Sequence, residues 1–308
     1  MPGIVTKPSR FARKPCFRPP SAGRLGAGLG RLALAFGLPF LLSACYVIQA
    51  ASGQLDIGRR SRPIDAVLQD PTTDRQTRER LSLVLEVRNF AVERLRLPDG
   101  DSYLEYANLD RDYAVWNVVA TPEFSISPRT WCFPGAGCVS YRGYFKEASA
   151  RSAAARYARR GDDVLVGGVA AYSTLGYFSD PVLSTMLEWS ELRLVRTIFH
   201  ELAHEQLYVQ DDSKFNESFA SVVGEEGVRL WLKSRGRDEE IGAFESKLRR
   251  EDEFVALLAD ARRHLAGLYA GDLPGDRMRV EKQRVFGRLK FDYERLRISW
   301  HGYRGFDR

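Results

Sequence analysis

Acidic residues are missing from the first 44 positions, where Lys7, Arg10, Arg13, Lys14, Arg18, Arg24 and Arg31 stand unopposed. Long apolar runs are missing too. The run LALAFGLPFLL is too short to span a bilayer as a helix, so a basic stretch followed by this core reads as a secretory leader rather than a transmembrane segment. Setting the leader's +7 against the formal charge of +6 leaves −1 for residues 45–308. The high pI therefore reports targeting, and a basic surface for nucleic acid is excluded. No internal repeat or low-complexity tract follows the leader, and the remaining 264 residues (308 − 44) suffice for one sizeable core with a helical appendage.

Sulfur is scarce as well: there are four cysteines in all. Cys16 lies in the leader, and Cys45 ends Leu42-Ser43-Ala44-Cys45, which resembles the lipobox of bacterial lipoproteins. That resemblance makes Cys45 the lipidated first residue of the mature chain, with an ordinary cleaved signal as the alternative. Cys132 and Cys138 remain, in WCFPGAGCVS. Two cysteines make a poor zinc site, whereas an oxidising envelope and the turn-forming Pro134, Gly135 and Gly137 favour a local disulfide between them over a pair of buried thiols.

The periodicities predict an α+β chain. Asp74 to Leu97 spaces Leu81, Val84, Leu85, Arg88 and Val92 as one face of a helix that Pro98 stops. YAVWNVVATPEFSI and CVSYRGYF flank the cysteine turn and read as a β-hairpin, KEASARSAAARYARR as a short helix, and VLVGGVAAYST as a further strand. Asp180-Pro181 carries the signature of a helix start, from which a single core helix is expected to run to Val209, with Leu192, Leu194, Val195, Ile198, Phe199 and Leu202 apolar on much of its girth. A second helix is expected from about Asn216, and a helical hairpin broken at Gly271 to Gly275 from Asp238 to about Ile298.

Histidine is as scarce as cysteine, with four in the chain, yet two stand in FHELAHEQ. Residues four apart share a helix face, so His200 and His204 can present two imidazoles to one ion. Glu201, one step round, reaches a water bound to such an ion. That is the logic of HExxH: zinc lowers the pKa of the water and the glutamate takes its proton as a carbonyl is attacked. The bland alternative is a polar-faced helix with two unrelated histidines. The extended pattern, with glycine at 207 and histidine at 210, is excluded by Leu207 and Gln210. NESFA resembles the helix that supplies a third glutamate ligand in thermolysin-like and aminopeptidase-like zincins, which implies Glu217. Asp211 and Asp212 are the alternatives, and Ser221 is a candidate to orient Glu217.

CYVIQAASGQLDIGRRSRPI, VWNVVATPEFSISPRTWCFPGAGCVSYRGYF, DVLVGGVAAYSTLGYFSDPVLSTML and IFHELAHEQLYVQDDSKFNESFA together resemble a family of bacterial lipoproteins described as putative zinc aminopeptidases. The resemblance covers roughly residues 45–235 and implies a zincin-like domain: a small β-sheet, the HExxH helix, and a C-terminal helical region over 236–308. Family members continue beyond WHGYRGFDR, which implies a truncated C-terminus here. The residues themselves support a peptidase more than an aminopeptidase, because the GxMEN loop that grips a free amine has no counterpart. Glu123 and Asp180 are the candidate amine-binding carboxylates. VLVGGVAAYST, one helix before the motif, stands where zincins place the edge strand that pairs with substrate backbone, with a buried core strand as the alternative; Tyr172 on it is the chosen transition-state donor ahead of Tyr141 and Tyr208, while His264 and His301 read as surface residues.

Two readings follow: an envelope-anchored zinc peptidase acting on peptides, or a non-catalytic lipoprotein stapled by zinc that binds a partner not identifiable from sequence. Glu201 favours the first, since a structural site has no use for a base. Tyr46 stands where a lipoprotein retained in the inner membrane would carry Asp, so by resemblance to lipoprotein sorting the outer membrane, facing the periplasm, is expected. Cys45→Ser is expected to abolish lipid labelling and membrane retention; an unchanged membrane fraction would contradict the anchor.

Overall fold

Most of the chain beyond the leader is helical, and two helices that pack unusually close organise it. The computed structural model describes residues 46, 49–133, 137–171, 179–210 and 212–307; Cys45 and Tyr172 lie outside them. Val47–Arg308 forms one compact unit. Its elements are α1 (residues 49–60), β1 (Ser61–Pro63), α2 (Ile64–Gln69), α3 (Arg75–Glu93), β2 (Glu105–Ala107), β3 (Val115–Pro122), β4 (Trp131–Phe133), β5 (Gly137–Val139), β6 (Arg142–Tyr144), α4 (Glu147–Ala158), β7 (Asp162–Val169), β8 (Val182–Leu183), α5 (Ser184–Leu187), α6 (Glu191–Gln206), α7 (Ser213–Ser234), α8 (Ile241–Tyr269) and α9 (Gly275–Ser299). The chain is thus α+β, and none of its described helices is long and apolar enough to cross a membrane.

The strands form small sheets. β6, β3 and β7 make an antiparallel sheet with β3 in the middle, so the hairpin expected from the β-branched and aromatic texture is present as the β3–β6 pairing, Trp116 opposite Tyr144. Inserted between these strands is the small β4–β5 ladder, where Cys132 and Cys138 face each other and are joined by a disulfide, their Cα atoms 3.9 Å apart. β7 pairs with β3 along its whole length and is an edge among the described residues. A second sheet orders β1, β2 and β8, with β8 parallel to β2.

The single helix expected from Asp180 is a correction. Asp180 does not cap a helix: its amide donates to Ser102 Oγ at 3.3 Å, and its carbonyl accepts from Tyr103 N at 2.8 Å. Val182 and Leu183 then join β2 as strand β8, the short α5 follows, and α6 starts afresh after Ser190. Pairing with β2 satisfies this backbone in extended form, and burial of Val182 and Leu183 rewards it. The cap signature of Asp-Pro is a local preference that the tertiary pairing overrides.

α3 buries Leu81, Val84 and Arg88 of its expected face, with Val87 and Ala91 buried where Leu85 and Val92 are only half-buried; Asp74 caps it by accepting from Thr77 N at 2.8 Å, and it ends at Glu93, before Pro98. Arg88 is buried because it is fully employed: it donates to the carbonyls of Ser102 and Gly100 and to Asp99. It thereby holds the loop that delivers Tyr103, a buried residue in the left-handed region (φ 63°).

Against α3 lies α6, with Leu194, Val195, Ile198, Phe199, Leu202 and Ala203 essentially inaccessible. Phe90, Phe199 and Trp231 interlock three helices, Phe90 meeting Trp231 edge-on at 5.3 Å. α6 and α7 come together through glycine: a Cβ on Gly224 would lie 3.0 Å from the Arg196 carbonyl, and one on Gly227 would lie 2.5 Å from the Phe199 ring. α8 and α9 form the expected hairpin. Lys282 of α9 is buried and reaches the Glu123 carbonyl at 2.8 Å and the Asp163 carboxylate, so α9 is pinned to the ends of β3 and β7.

Gly227→Val is expected to destabilise the protein by roughly 2 kcal/mol or more, because the enclosed Phe199 ring must move to admit the new side chain. Gly287→Ala, in the middle of α9 with no atom near the added methyl, should instead gain up to about 1 kcal/mol. Urea unfolding midpoints of the two variants test this; movement in the same direction would show that close packing does not decide the sign.

Candidate metal centre

The motif residues all fall on α6, which turns an apolar face to the core and bears His200, Glu201 and His204 on the other. His204 is buried and His200 partly so. Their Nε2 atoms lie 3.2 Å apart. From α7, Glu217 brings its two carboxylate oxygens to 3.4 Å from His200 Nε2 and 3.6 Å from His204 Nε2. These three residues are the group of potential metal ligands among the described residues.

The separations test whether an ion fits. Zinc binds imidazole nitrogen and carboxylate oxygen at about 2.0–2.2 Å with tetrahedral geometry, which places neighbouring donor atoms about 3.3 Å apart. The His200–His204 edge and the approach of each Glu217 oxygen to one imidazole are of that order, and one donor atom from each residue lies within 4.8 Å of the others, close enough for one ion to gather all three. Proton competition is also eased. Burial first, then the charges of His204 and Arg196, holds His200 below the usual imidazole pKa against the opposing pull of Glu217, and a neutral ring offers the lone pair that ligation needs. Glu217 is 64 % exposed in its side chain, so one side of the triangle faces outward. Structural zinc sites are closed by four protein ligands, and catalytic sites keep a position open. Three ligands with an exposed side match the second pattern.

What aims the donors is packing. His204 Nδ1 is buried and finds no partner among the described residues, so the ring is not held by the outer hydrogen bond that commonly orients metal-binding histidines. Its orientation depends on the α6 core face and on Glu217 instead. Glu217 is set by the turn before it. Asp212 accepts from Phe215 N at 3.0 Å and caps α7, which begins at Ser213, earlier than the expected Asn216. Buried Asn216 takes the Val209 amide on Oδ1 and gives its own amide to the Val209 carbonyl, both at 2.8 Å, bolting the six-residue connection 207–212 to the new helix.

Asn216 is a residue that sequence reasoning missed, although it stands beside Glu217 in NES. A polar side chain at the start of a helix, next to a ligand and after a short loop, is the signal that was available. Asp212, an alternative ligand, serves as the cap and does not join the donor cluster; Asp211 lies outside the described residues, as does Tyr172. Tyr141 and Tyr208 are exposed, His301 is exposed in the tail, and His264 sits on α8 against Asp260. Glu123 is tied to Arg279 of α9 through both oxygens, at 2.6 and 3.0 Å, and is not brought to the cluster. Ser221 lines the same cleft as His200 and Glu201.

Glu201 borders open space on two sides. A cleft of 510 Å3 runs along α6 past Thr197, His200 and Glu201 towards α8 and the C-terminal tail. A smaller cavity of 150 Å3 is walled by Glu201, Thr197, Tyr103, Asp180, Met186 and Trp189. Asp180, one of the two candidate amine-binding carboxylates, is therefore placed beside the motif. Tyr103, which the sequence did not single out, is there too, its hydroxyl pushed well above the usual phenol pKa by burial and by the nearby charges of Glu201, Asp180 and Glu205.

Fold and site together define an α+β protein with a His-His-Glu donor cluster and an adjacent glutamate opening onto a cleft. The chain matches the family described as "Putative aminopeptidase" over residues 45–308 and belongs to that family, whose name implies peptide hydrolysis. The match runs through α8 and α9, further than the resemblance over residues 45–235 had reached. No curated protein and no solved structure matches the chain.

Asn216→Ala would leave both polar groups of Val209 without their partner, which costs about 1–3 kcal/mol, and would loosen Glu217. Affinity for divalent metal is expected to fall by roughly ten-fold or more, as for other residues that orient ligands. Chelator competition measures it; an unchanged affinity would show that the connection does not position Glu217.

Proposed function

We propose that the protein is a zinc-dependent aminopeptidase of the bacterial envelope, with a zincin-like centre of His200, His204 and Glu217 and with Glu201 as the general base. The observation that carries this reading is the gathering of His200, His204 and Glu217 donor atoms within 4.8 Å of one another, exposed on the Glu217 side and bordered by a glutamate facing a cleft. A zinc ion held there supplies Lewis-acid polarisation of a carbonyl and lowers the pKa of water towards neutrality. The protein's own residues do the rest.

Glu201 accepts the proton of the attacking water and returns it to the leaving amine, a role that needs a carboxylate close to the centre but not consumed by it. The aminopeptidase assignment, as against endopeptidase, rests on the family name and on Asp180. This buried acid lines the small cavity on the far side of Glu201, where a substrate's α-ammonium would find a counter-charge and an apolar first side chain would meet Met186 and Trp189. The lipobox-like Cys45 anchors the domain to the outer membrane in this reading, and the disulfide agrees with an oxidising compartment.

His204→Ala and Glu217→Ala are each expected to lose zinc and activity together. Glu201→Gln keeps the side chain's size, so it should retain zinc while peptide hydrolysis falls by about two orders of magnitude or more. Zinc per chain measured beside the cleavage rate separates ligand from base. Wild-type hydrolysis by Glu201→Gln would overturn the mechanism even with zinc bound.

A further inference from the structure

The cleft bordered by the motif draws part of its wall from the segment that follows α9. Tyr303, Gly305 and Phe306 line it together with Phe244 of α8 and Leu192 of α6. That segment is firmly placed. His301 and Gly302 both stand in the left-handed region, with φ of 55° and 81°, and turn the chain back at the end of α9. Trp300 Nε1 donates to Glu253 of α8 at 2.6 Å, and the Tyr293 hydroxyl of α9 donates to Asp307. Between these two clamps Phe306 stacks on Phe254 of α8, their centroids 4.3 Å apart, and the Arg250 guanidinium lies over the Tyr303 ring at 4.5 Å. A Cβ on Gly305 would run into the Tyr303 hydroxyl, so only glycine lets the ring lie where it does.

Both rings are therefore held by neighbours, yet both are only half-buried and border the cleft. The charged side chains of the cleft are already engaged. Arg196 donates to Glu251 at 2.7 Å and to Glu225 at 2.9 Å, Lys247 lies 3.9 Å from Glu251, and Arg193 lies over the Trp189 ring at 4.2 Å. Glu201 serves as the base in the reading above. A ligand gains little by competing with charges that have partners. Ring surface still in contact with water is different, because covering it displaces water alone and is favourable. Rings fixed in advance also lose little freedom when a ligand settles against them.

We propose that the large cleft seats an aromatic side chain of the residue after the scissile bond, packed against Tyr303, Phe306 and Phe244. Thr197 and Glu201 line both hollows, so a peptide whose amine lies in the small cavity passes the centre and enters the large cleft with its next residue. The preferred substrates are then peptides whose second residue is aromatic. The inference rests on the aminopeptidase reading for the direction in which the peptide lies.

Leu-Phe amide and Leu-Ala amide carry the same charge and differ only in the side chain after the bond. kcat/KM is measured with the zinc-loaded wild-type protein, and affinity by calorimetry with zinc-loaded Glu201→Gln. Leu-Phe amide should be favoured by about ten-fold or more in both, the scale on which an apolar pocket discriminates. In Tyr303→Ala and in Phe306→Ala the ratio should fall towards one, whereas Tyr303→Phe, which keeps the ring, should preserve it. A general loss of fold or activity moves both peptides together and does not mimic this. Equal treatment of the two peptides by a wild-type protein that hydrolyses them overturns the proposal and leaves the aminopeptidase reading standing. So does a ratio that survives both alanine substitutions or vanishes in Tyr303→Phe. Ring-dependent discrimination in binding with no hydrolysis of either peptide supports the aromatic wall and sinks the hydrolytic reading instead.

Discussion

Everything at the centre depends on how closely α6 and α7 approach each other. Helix axes pack at about 8–10 Å according to the side chains at the contact, and the low end needs small residues. Gly224 and Gly227 provide them, one against the Arg196 backbone and one against the Phe199 ring. That approach brings a carboxylate of α7 to 3.4 Å from an imidazole of α6, although Glu217 itself is mostly exposed. A Cβ on either glycine would push against its neighbour, the Arg196 carbonyl or the Phe199 ring, and a metal centre tolerates shifts of only tenths of an ångström.

The contact also sets the electrostatics. Arg196 lies on the α6 surface beside Gly224 and reaches both Glu225 of α7 and Glu251 of α8, so one guanidinium joins three helices. Burial first, then His204, and then the same Arg196 cation lower the pKa of His200. Fold and site are thus not separable layers: the residue that ties α8 to the motif helix is also the one that neutralises the acid in the cleft. α8 brings Lys247 and Phe244, and the tail adds Tyr303 and Phe306, so α8 and the tail form one wall of the cleft and are more than an appendage to it.

On the opposite side the chain uses extended structure. The break at Trp189 and Ser190, the β8 pairing and the Arg88-bound loop jointly place Asp180 and Tyr103 beside Glu201. Had the helix run unbroken from Asp180, its first turns would have filled the space that the small cavity occupies. Satisfying the backbone of Val182 and Leu183 in a sheet is what leaves that space open.

Much of this was legible in the linear chain, and the part that was legible has a common cause. The face of α3, the hairpin of α8 and α9, the strands flanking the disulfide and the His200, Glu201, His204 row all follow from local periodicity, which the backbone imposes wherever a helix or strand forms. Glu217 could be named by resemblance, because its neighbours in NESFA carry a pattern, but no local rule places it near His200. Only tertiary packing decided that, together with Asn216 as the bolt of the connection and the placing of Tyr103 and Asp180 beside Glu201. Those depend on residues as near in sequence as Val209 and Asn216 and as far apart as Tyr103 and Glu201 meeting in space, and on a strand pairing that outweighed a good helix-start signature. Local preferences of a fraction of a kcal/mol per residue suffice to write elements into a sequence; burial and backbone pairing between distant segments are larger, and they determine which elements survive and what chemistry they bring together.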